Sequence, residues 1–300
     1  MATQIAGSPE ALREKPFLVL YPEPISPLVM PEDVAERIFV AADRGLPQMM
    51  GPAIQPGATG PVTMAGAVAQ GVAESMFCVT VAQLRRPGCP VGLGCNFGIM
   101  DMAQALMSVG SPEMSLALTA QAEVAQSIGL PTWGLAGATD SKCLDAQAGA
   151  EAAYQILAQG MGGLNLIHDV GYMDMSMACA VEQLVLGNDI IGMAKRFLGG
   201  FDVSEEQLAL DVISQVGPGG HFLQQKHTMQ HFRKELWRPS IFTRQPMEAR
   251  KAEGSLNVED RVRKKIRNIL ETHQPLALPD KVLEDLERIK IEGEKELTKS

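Results

Sequence analysis

The sequence predicts an α/β chain of the (β/α)8 TIM-barrel type, here an incomplete barrel with a helical C-terminal extension, and three observations predict it. Short apolar runs recur after Gly or Pro. Each leads into a loop of small residues, and each loop leads into a longer segment with apolar residues at helical spacing. Strands that alternate with helices run parallel and are covered on their faces, because each crossover returns the chain to the same sheet edge. A doubly wound open sheet is the second choice.

Five runs qualify as strands: Phe17–Leu20, Leu46–Met50, Pro90–Cys95, Pro131–Leu135 and Leu164–Ile167. A complete barrel has eight. The helices between them are marked by their ends. "MPEDVAER" opens on Pro31 and two acids and closes at Gly45, and "GSPEMSLALTAQAEVAQSIG" opens on Ser111, Pro112 and Glu113 and closes at Gly129. "GSPE" also stands at Gly7–Glu10, but two copies of a cap signal do not make a repeat. From about Asn188 the pattern becomes purely helical: "NDIIGMAKRFLGG", "SEEQLALDVISQVG", "VEDRVRKKIRNILETH" and "PDKVLEDLERIKIEGEKEL" are successive amphipathic segments. The expected division is a barrel portion over 1–187 and a helical extension over 188–300, packed on the barrel.

Composition excludes several classes. The 300 residues are 46% hydrophobic and 20% charged, enough to bury a large core. A net charge of −9 argues against nucleic acid or an anionic membrane surface as partner. The local basic run Arg261, Arg263, Lys264, Lys265 and Arg267 alternates with apolar residues and reads as a solvated helix face. No apolar run approaches the ~18 residues of a membrane span, and the first residues lack the apolar region of a signal peptide, so a cytoplasmic chain is expected. The five cysteines are odd in number and lack C-x-x-C spacing, which fits reduced thiols.

Barrel chemistry sits in the loops at the C-terminal ends of the strands. Those loops carry Tyr21, Glu23 and Ser26; Gln55, Thr59 and Thr63; Asn96, Phe97 and Asp101; Thr139, Asp140 and Lys142; and His168, Asp169, Tyr172 and Asp174. They are rich in amides, hydroxyls and carboxylates and poor in cations, a mouth suited to a polar or cationic small ligand. "GLGCNFG" and "GPGG" lack the spacing of a phosphate cradle. His227 and His231 are four apart with His221 nearby, but Thr228 stands where H-E-x-x-H needs its Glu, so no metal site is expected. Met173, Met175 and Met177 read as packing. His168 ends an apolar strand with Asp169 beside it and is the histidine singled out for function.

"GATGPVTMAGAVAQGVAE", "GSPEMSLALTAQAEVAQSIGLP", "GATDSKCLDAQAGAEAAYQIL", "EQLVLGNDIIGMAKRFL" and "GGHFLQQKHTMQHFRKELWRP" resemble, in constant order over nearly the whole chain, the trimethylamine:corrinoid methyltransferase (MttB-type) family. The resemblance implies a barrel enzyme that moves a methyl group from a small methylated amine to the cobalt of a corrinoid carried by a separate corrinoid-binding protein, with no tightly bound metal of its own. Family members carry a longer N-terminal portion that would supply the strands absent from the count. This chain therefore resembles the family from partway through its barrel, and its open edges are expected to need an intermolecular partner or self-association. In members that demethylate trimethylamine a pyrrolysine sits in or near the segment matching Gly137–Lys142; here every residue is an ordinary one, which points to a quaternary amine such as glycine betaine.

The roles that follow are these. His168 and Asp140 are the expected catalytic residues. Tyr21, Phe97, Trp133 and Tyr172 are expected to wall the substrate, Asp101 and Asp169 with Asp140 to balance its charge, and Asn96 with His168 to bind a substrate carboxylate. The alternatives are a Schiff-base lyase or aldolase-type barrel using Lys142, and a non-catalytic betaine-binding barrel remnant.

Overall fold

The computed structural model describes residues 1–298. Its centre is a parallel sheet of four strands, β1 (Gln48–Met50), β2 (Val91–Gly94), β3 (Thr132–Leu135) and β4 (Leu166–His168), hydrogen-bonded in their order along the chain. The fifth apolar run joins the same edge, since Leu20 bridges Gln48 in parallel. Sequential order with no reversal is consistent with a barrel-like α/β arrangement. Among the described residues no strand pairs with the free side of β4.

A helix follows each strand position: α1 (Glu32–Arg44), α2 (Met64–Arg85), α3 (Pro112–Ser127), α4 (Ala146–Met161) and α5 (Val181–Leu198). Their ends form where the sequence signals them. Gly45 closes α1 in the left-handed conformation, Pro112 and Glu113 open α3, and the Asp145 carboxylate accepts the Ala148 N–H at the start of α4. By length and apolar composition α2 would pass for a membrane span, a candidate the sequence reading did not recognise. It packs as a core helix, burying Ala67, Gly71, Ser75, Cys78 and Ala82.

The core has three parts. Ile38, Met50, Cys78 and Val79 join α1, β1 and α2. Ile54, Phe97, Met114, Leu118 and Leu135 join α2, α3 and the strand ends. Ala152, Ile156, Leu186, Ile190, Ile241 and Val262 join α4, α5 and a later helix. Asn188, the expected start of the extension, lies in the middle of α5, which runs from Val181 to Leu198 without a break. Beyond it lie α6 (Lys226–Glu235), α7 (Val258–Thr272) and α8 (Asp280–Leu297), with short helices at Glu205–Leu208, Leu210–Val216 and Met247–Ala252.

Candidate functional site

A glycine lets an aromatic ring pack directly onto the sheet. Gly94 on β2 faces Trp133 on β3 so closely that a Cβ at Gly94 would lie 2.3 Å from the indole Nε1. Gly94 of "VGLGCNFG" thus accommodates an aromatic ring, and Gly92 and Gly98 accommodate Met49 and Met107. The indole N–H, carried into the interior, donates to the Met50 carbonyl at 3.1 Å.

Around Trp133 two adjacent strands, β3 and β4, meet the end of the first strand position, which lies across the sheet from them. Tyr21 meets the indole edge-on, with centroids 4.9 Å apart and planes at 79°, and His168 stacks on it at 5.0 Å and 29°. Asn96 Nδ2 donates to the Tyr21 hydroxyl at 3.1 Å. His168 Nδ1 lies 2.6 Å from the Asp169 carboxylate. That contact fixes the ring and leaves Nε2 without a partner among the described residues. Asp169 is held for this task in a left-handed conformation, φ 70°, which aspartate tolerates better than most side chains. Burial, then the carboxylate of Glu23, pushes the Tyr21 phenol above its ordinary pKa, with Asp169 adding to the same effect. Tyr21 therefore stays protonated. Three rings flanked by two carboxylates, with no lysine or arginine paired to them among the described residues, make a cation-attracting cluster.

The structure gathers Tyr21, Asn96, Trp133, His168 and Asp169, and places the other expected residues elsewhere. Asp140 directs both carboxylate oxygens at the next loop, accepting from the Ser108 hydroxyl and from the Val109 N–H at 2.8 Å. Asp101 accepts the Ala103 and Gln104 N–H groups at 2.8 and 3.0 Å within the hairpin of Ile99–Asp101 and Leu106–Ser108. Phe97 is buried in the core beside α2. Tyr172 lies in a two-stranded ribbon with Ala178–Cys179 and is partly exposed. Lys142 is an exposed ammonium that donates to the Asp140 carbonyl at 2.7 Å and pairs with Asp174 at 3.3 Å, which gives a Schiff-base role no support. His227 and His231 rest 4.3 Å apart, with His231 beside Glu206 and Gln207. Among the described residues no three His, Cys, Asp or Glu side chains are grouped to hold a metal.

A second layer was missed in the sequence. Buried polar side chains of α4 and α5 hold the loop after β3 by its backbone. Gln155 accepts the Gly137 N–H at 3.0 Å and donates to the Val109 and Ala138 carbonyls at 2.9 and 3.0 Å. Gln159 donates to the Leu135 carbonyl, Glu151 accepts the Asp140 N–H at 2.9 Å, and Gln183 reaches the Gly137 carbonyl at 3.3 Å. Glu151, Gln155 and Gln159 are spaced four apart, a polar stripe on the helix face that meets the sheet, and that spacing was the available signal.

This geometry can be set beside known proteins. A family model described as trimethylamine methyltransferase (MTTB) matches residues 1–296. The chain belongs to this family. It is 32% identical over 283 residues to a glycine betaine methyltransferase of Desulfitobacterium hafniense strain Y51, covering 94% of this chain and 59% of that protein. It is 33% identical over 296 residues to a trimethylamine methyltransferase MttB of D. hafniense strain DSM 10664 / DCB-2, covering 99% and 60%. A trimethylamine methyltransferase MttB of Methanosarcina barkeri strain Fusaro is 32% identical over 283 residues, covering 94% and 57%. The chain thus spans about 60% of the length of the curated relatives it matches. In the gathered cluster His168 ends β4 and Tyr21 follows the bridged Leu20.

Proposed function

We propose that this chain carries the substrate side of an amine methyltransferase, with the five β/α units as part of a TIM-type barrel, a quaternary amine as methyl donor and the cobalt of a corrinoid protein as acceptor. The observation that carries this reading is the Tyr21–Trp133–His168 cluster with Glu23 and Asp169 beside it. A quaternary nitrogen has no N–H, so shape, aromatic faces and nearby carboxylates are what can recognise it. Tyr21, the exposed ring, offers a face with the buried Trp133 fixing it from behind, and Glu23 and Asp169 balance the charge. Asn96 and the free Nε2 of His168 hold a carboxylate at the other end of a betaine.

When bound, a reduced corrinoid cobalt would supply the nucleophile for the methyl carbon, and the amine would leave neutral with the C–N electron pair. No residue need protonate that leaving group, so the chain's work is positioning and exclusion of water. Exposed Met102, Tyr172 and Met177, on the hairpin and ribbon that follow the strand ends, fit the flat apolar face of a corrin ring and would receive it. Asp140 acts at one remove, as a positioning residue that ties the loop after β3 to the Ser108–Val109 segment.

The test has two readouts. Purified chain with a cognate corrinoid protein and a reductant should change the corrinoid spectrum with glycine betaine or another quaternary amine and not with trimethylamine. Glycine betaine should also alter tryptophan emission of the chain alone, and His168→Ala should weaken that response. Turnover of trimethylamine with none of a quaternary-amine panel would sink the proposal.

A further inference from the structure

Away from the strand ends, a solvent-open cavity of about 760 Å3 is lined by the end of α6, the segment 236–245 and α7. Its walls run against the composition of the chain. In a protein of net charge −9, this lining carries four guanidinium groups, Arg233, Arg238, Arg244 and Arg261, and one carboxylate, Glu253. Glu253 is already engaged by the Gln245 amide at 2.9 Å. Arg261, expected on a solvated face, turns inward and donates to the Ile241 and Leu256 carbonyls, both at 2.7 Å. Arg233, Arg238 and Arg244 form no ion pair among the described residues. Arg244 lies over the Trp237 ring at 5.9 Å and Arg233 over Phe232 at 5.5 Å.

The walls are fixed before any ligand arrives. The Asp189 carboxylate on α5 accepts the Ser240, Ile241 and Phe242 N–H groups and the Ser240 hydroxyl, all between 2.8 and 3.1 Å. Trp237 is seated against α5 at Gly192, where a Cβ would lie 3.0 Å from the indole Nε1. Rigid walls reduce the ordering cost of binding. The volume is that of small-molecule sites, roughly 300–1,000 Å3. Planar guanidinium forks match phosphate oxygens, and the aromatic rings match a flat heterocycle.

We propose that this cavity binds a nucleotide, its phosphates on Arg238 and Arg244 with Arg233 nearby and its base against Trp237 and Phe232. The acidity of the rest of the chain disfavours a polymer and favours a small anion. The site is independent of the methyl-transfer reading, and its test does not involve methyl transfer. Calorimetric titration of the purified chain with ATP, adenosine and inorganic phosphate should give measurable binding of ATP, with adenosine and phosphate each weaker by about tenfold or more. Arg238→Gln and, separately, Arg244→Gln should each weaken ATP by about tenfold while the unfolding midpoint stays in place, because neither side chain has an ion pair to lose. No heat with ATP at millimolar concentration, adenosine binding as tightly as ATP, phosphate alone binding as tightly as ATP, or both variants binding like the parent would each overturn the assignment.

Discussion

The helices around the sheet and the helices after residue 200 are held in different ways. α2 and α3 bury broad faces of small residues, Ala67, Gly71 and Ala82 on one and Ala117, Ala122 and Ala125 on the other. α6 and α8 bury no residue, and α7 buries only Val262. The first set is fixed by close approach to a sheet and by polar ties to backbone. The second is sharply amphipathic, with apolar stripes such as Leu283 and Ile291 left open. Caps and periodicity declare that a helix forms; they do not say what covers it.

The largest expected effect contrasts one residue from each region. Trp133→Ala removes the centre of the ring cluster and an indole hydrogen bond, and should lower unfolding free energy by about 3–5 kcal/mol in urea titration. Leu283→Ala on α8 should cost less than about 0.5 kcal/mol, as for an exposed position. If the two cost the same, the difference between the regions collapses.

Next in size is the junction between them, where Asp189 joins α5 to Ser240–Phe242. Burial pushes the Asp189 carboxyl up, but the N–H groups of Ser240, Phe242 and Ile241 and the Ser240 hydroxyl outweigh it and hold the group below its ordinary pKa. A depressed carboxyl contributes stability that is present above the unfolded value of about 3.9 and lost as pH falls through the folded value. Asp189→Asn should therefore cost about 2–4 kcal/mol at pH 7, and the gap between parent and variant should narrow in acid. A gap that is constant from pH 7 down to about 2 would assign the loss to packing instead of charge.

Legibility followed the same divide. The five strand positions were readable because buried parallel strands leave continuous apolar runs, and strand-end logic put Tyr21, Trp133 and His168 within reach of one another. Asp101 and Asp140 shared that logic but not that fate. Their carboxylates are taken by N–H groups of their own hairpin and of the neighbouring loop, and such local competition leaves no mark on residue spacing. Gln155 and Gln159 were overlooked for the opposite reason. Polar residues on a helix read as solvent-facing, whereas these are fully buried and satisfy loop backbone that has no sheet partner.

The glutamine layer offers an intermediate effect. Gln155→Ala strands the Gly137 N–H and the Val109 and Ala138 carbonyls, so it should cost about 1–3 kcal/mol. It should also raise hydrogen exchange at Gly137 more than in α8, measured by mass spectrometry. Unchanged exchange in the loop after β3 would mean that the loop is held by something other than this side chain.

The smallest effect leaves stability untouched and reads burial directly through thiol chemistry. Cys78 and Cys95 lie against the sheet, where burial pushes the Cys78 thiol up to about 12 and the Cys95 thiol well above its ordinary value, and burial also raises Cys89. The thiolate is the reactive form, so these three should be inert twice over, by access and by protonation. Cys143 and Cys179 are exposed, one after the Asp140 loop and one in the ribbon, so both lie on the strand-end loops and neither in the core. Brief iodoacetamide treatment of the folded chain at pH 8, read by peptide mass spectrometry, should label Cys143 and Cys179 and spare the other three until denaturant is added. Early labelling of Cys95 would show that the core beside Phe97 opens to solvent on the time scale of the experiment, and the sheet-bound region would then be no better closed than the helices after it.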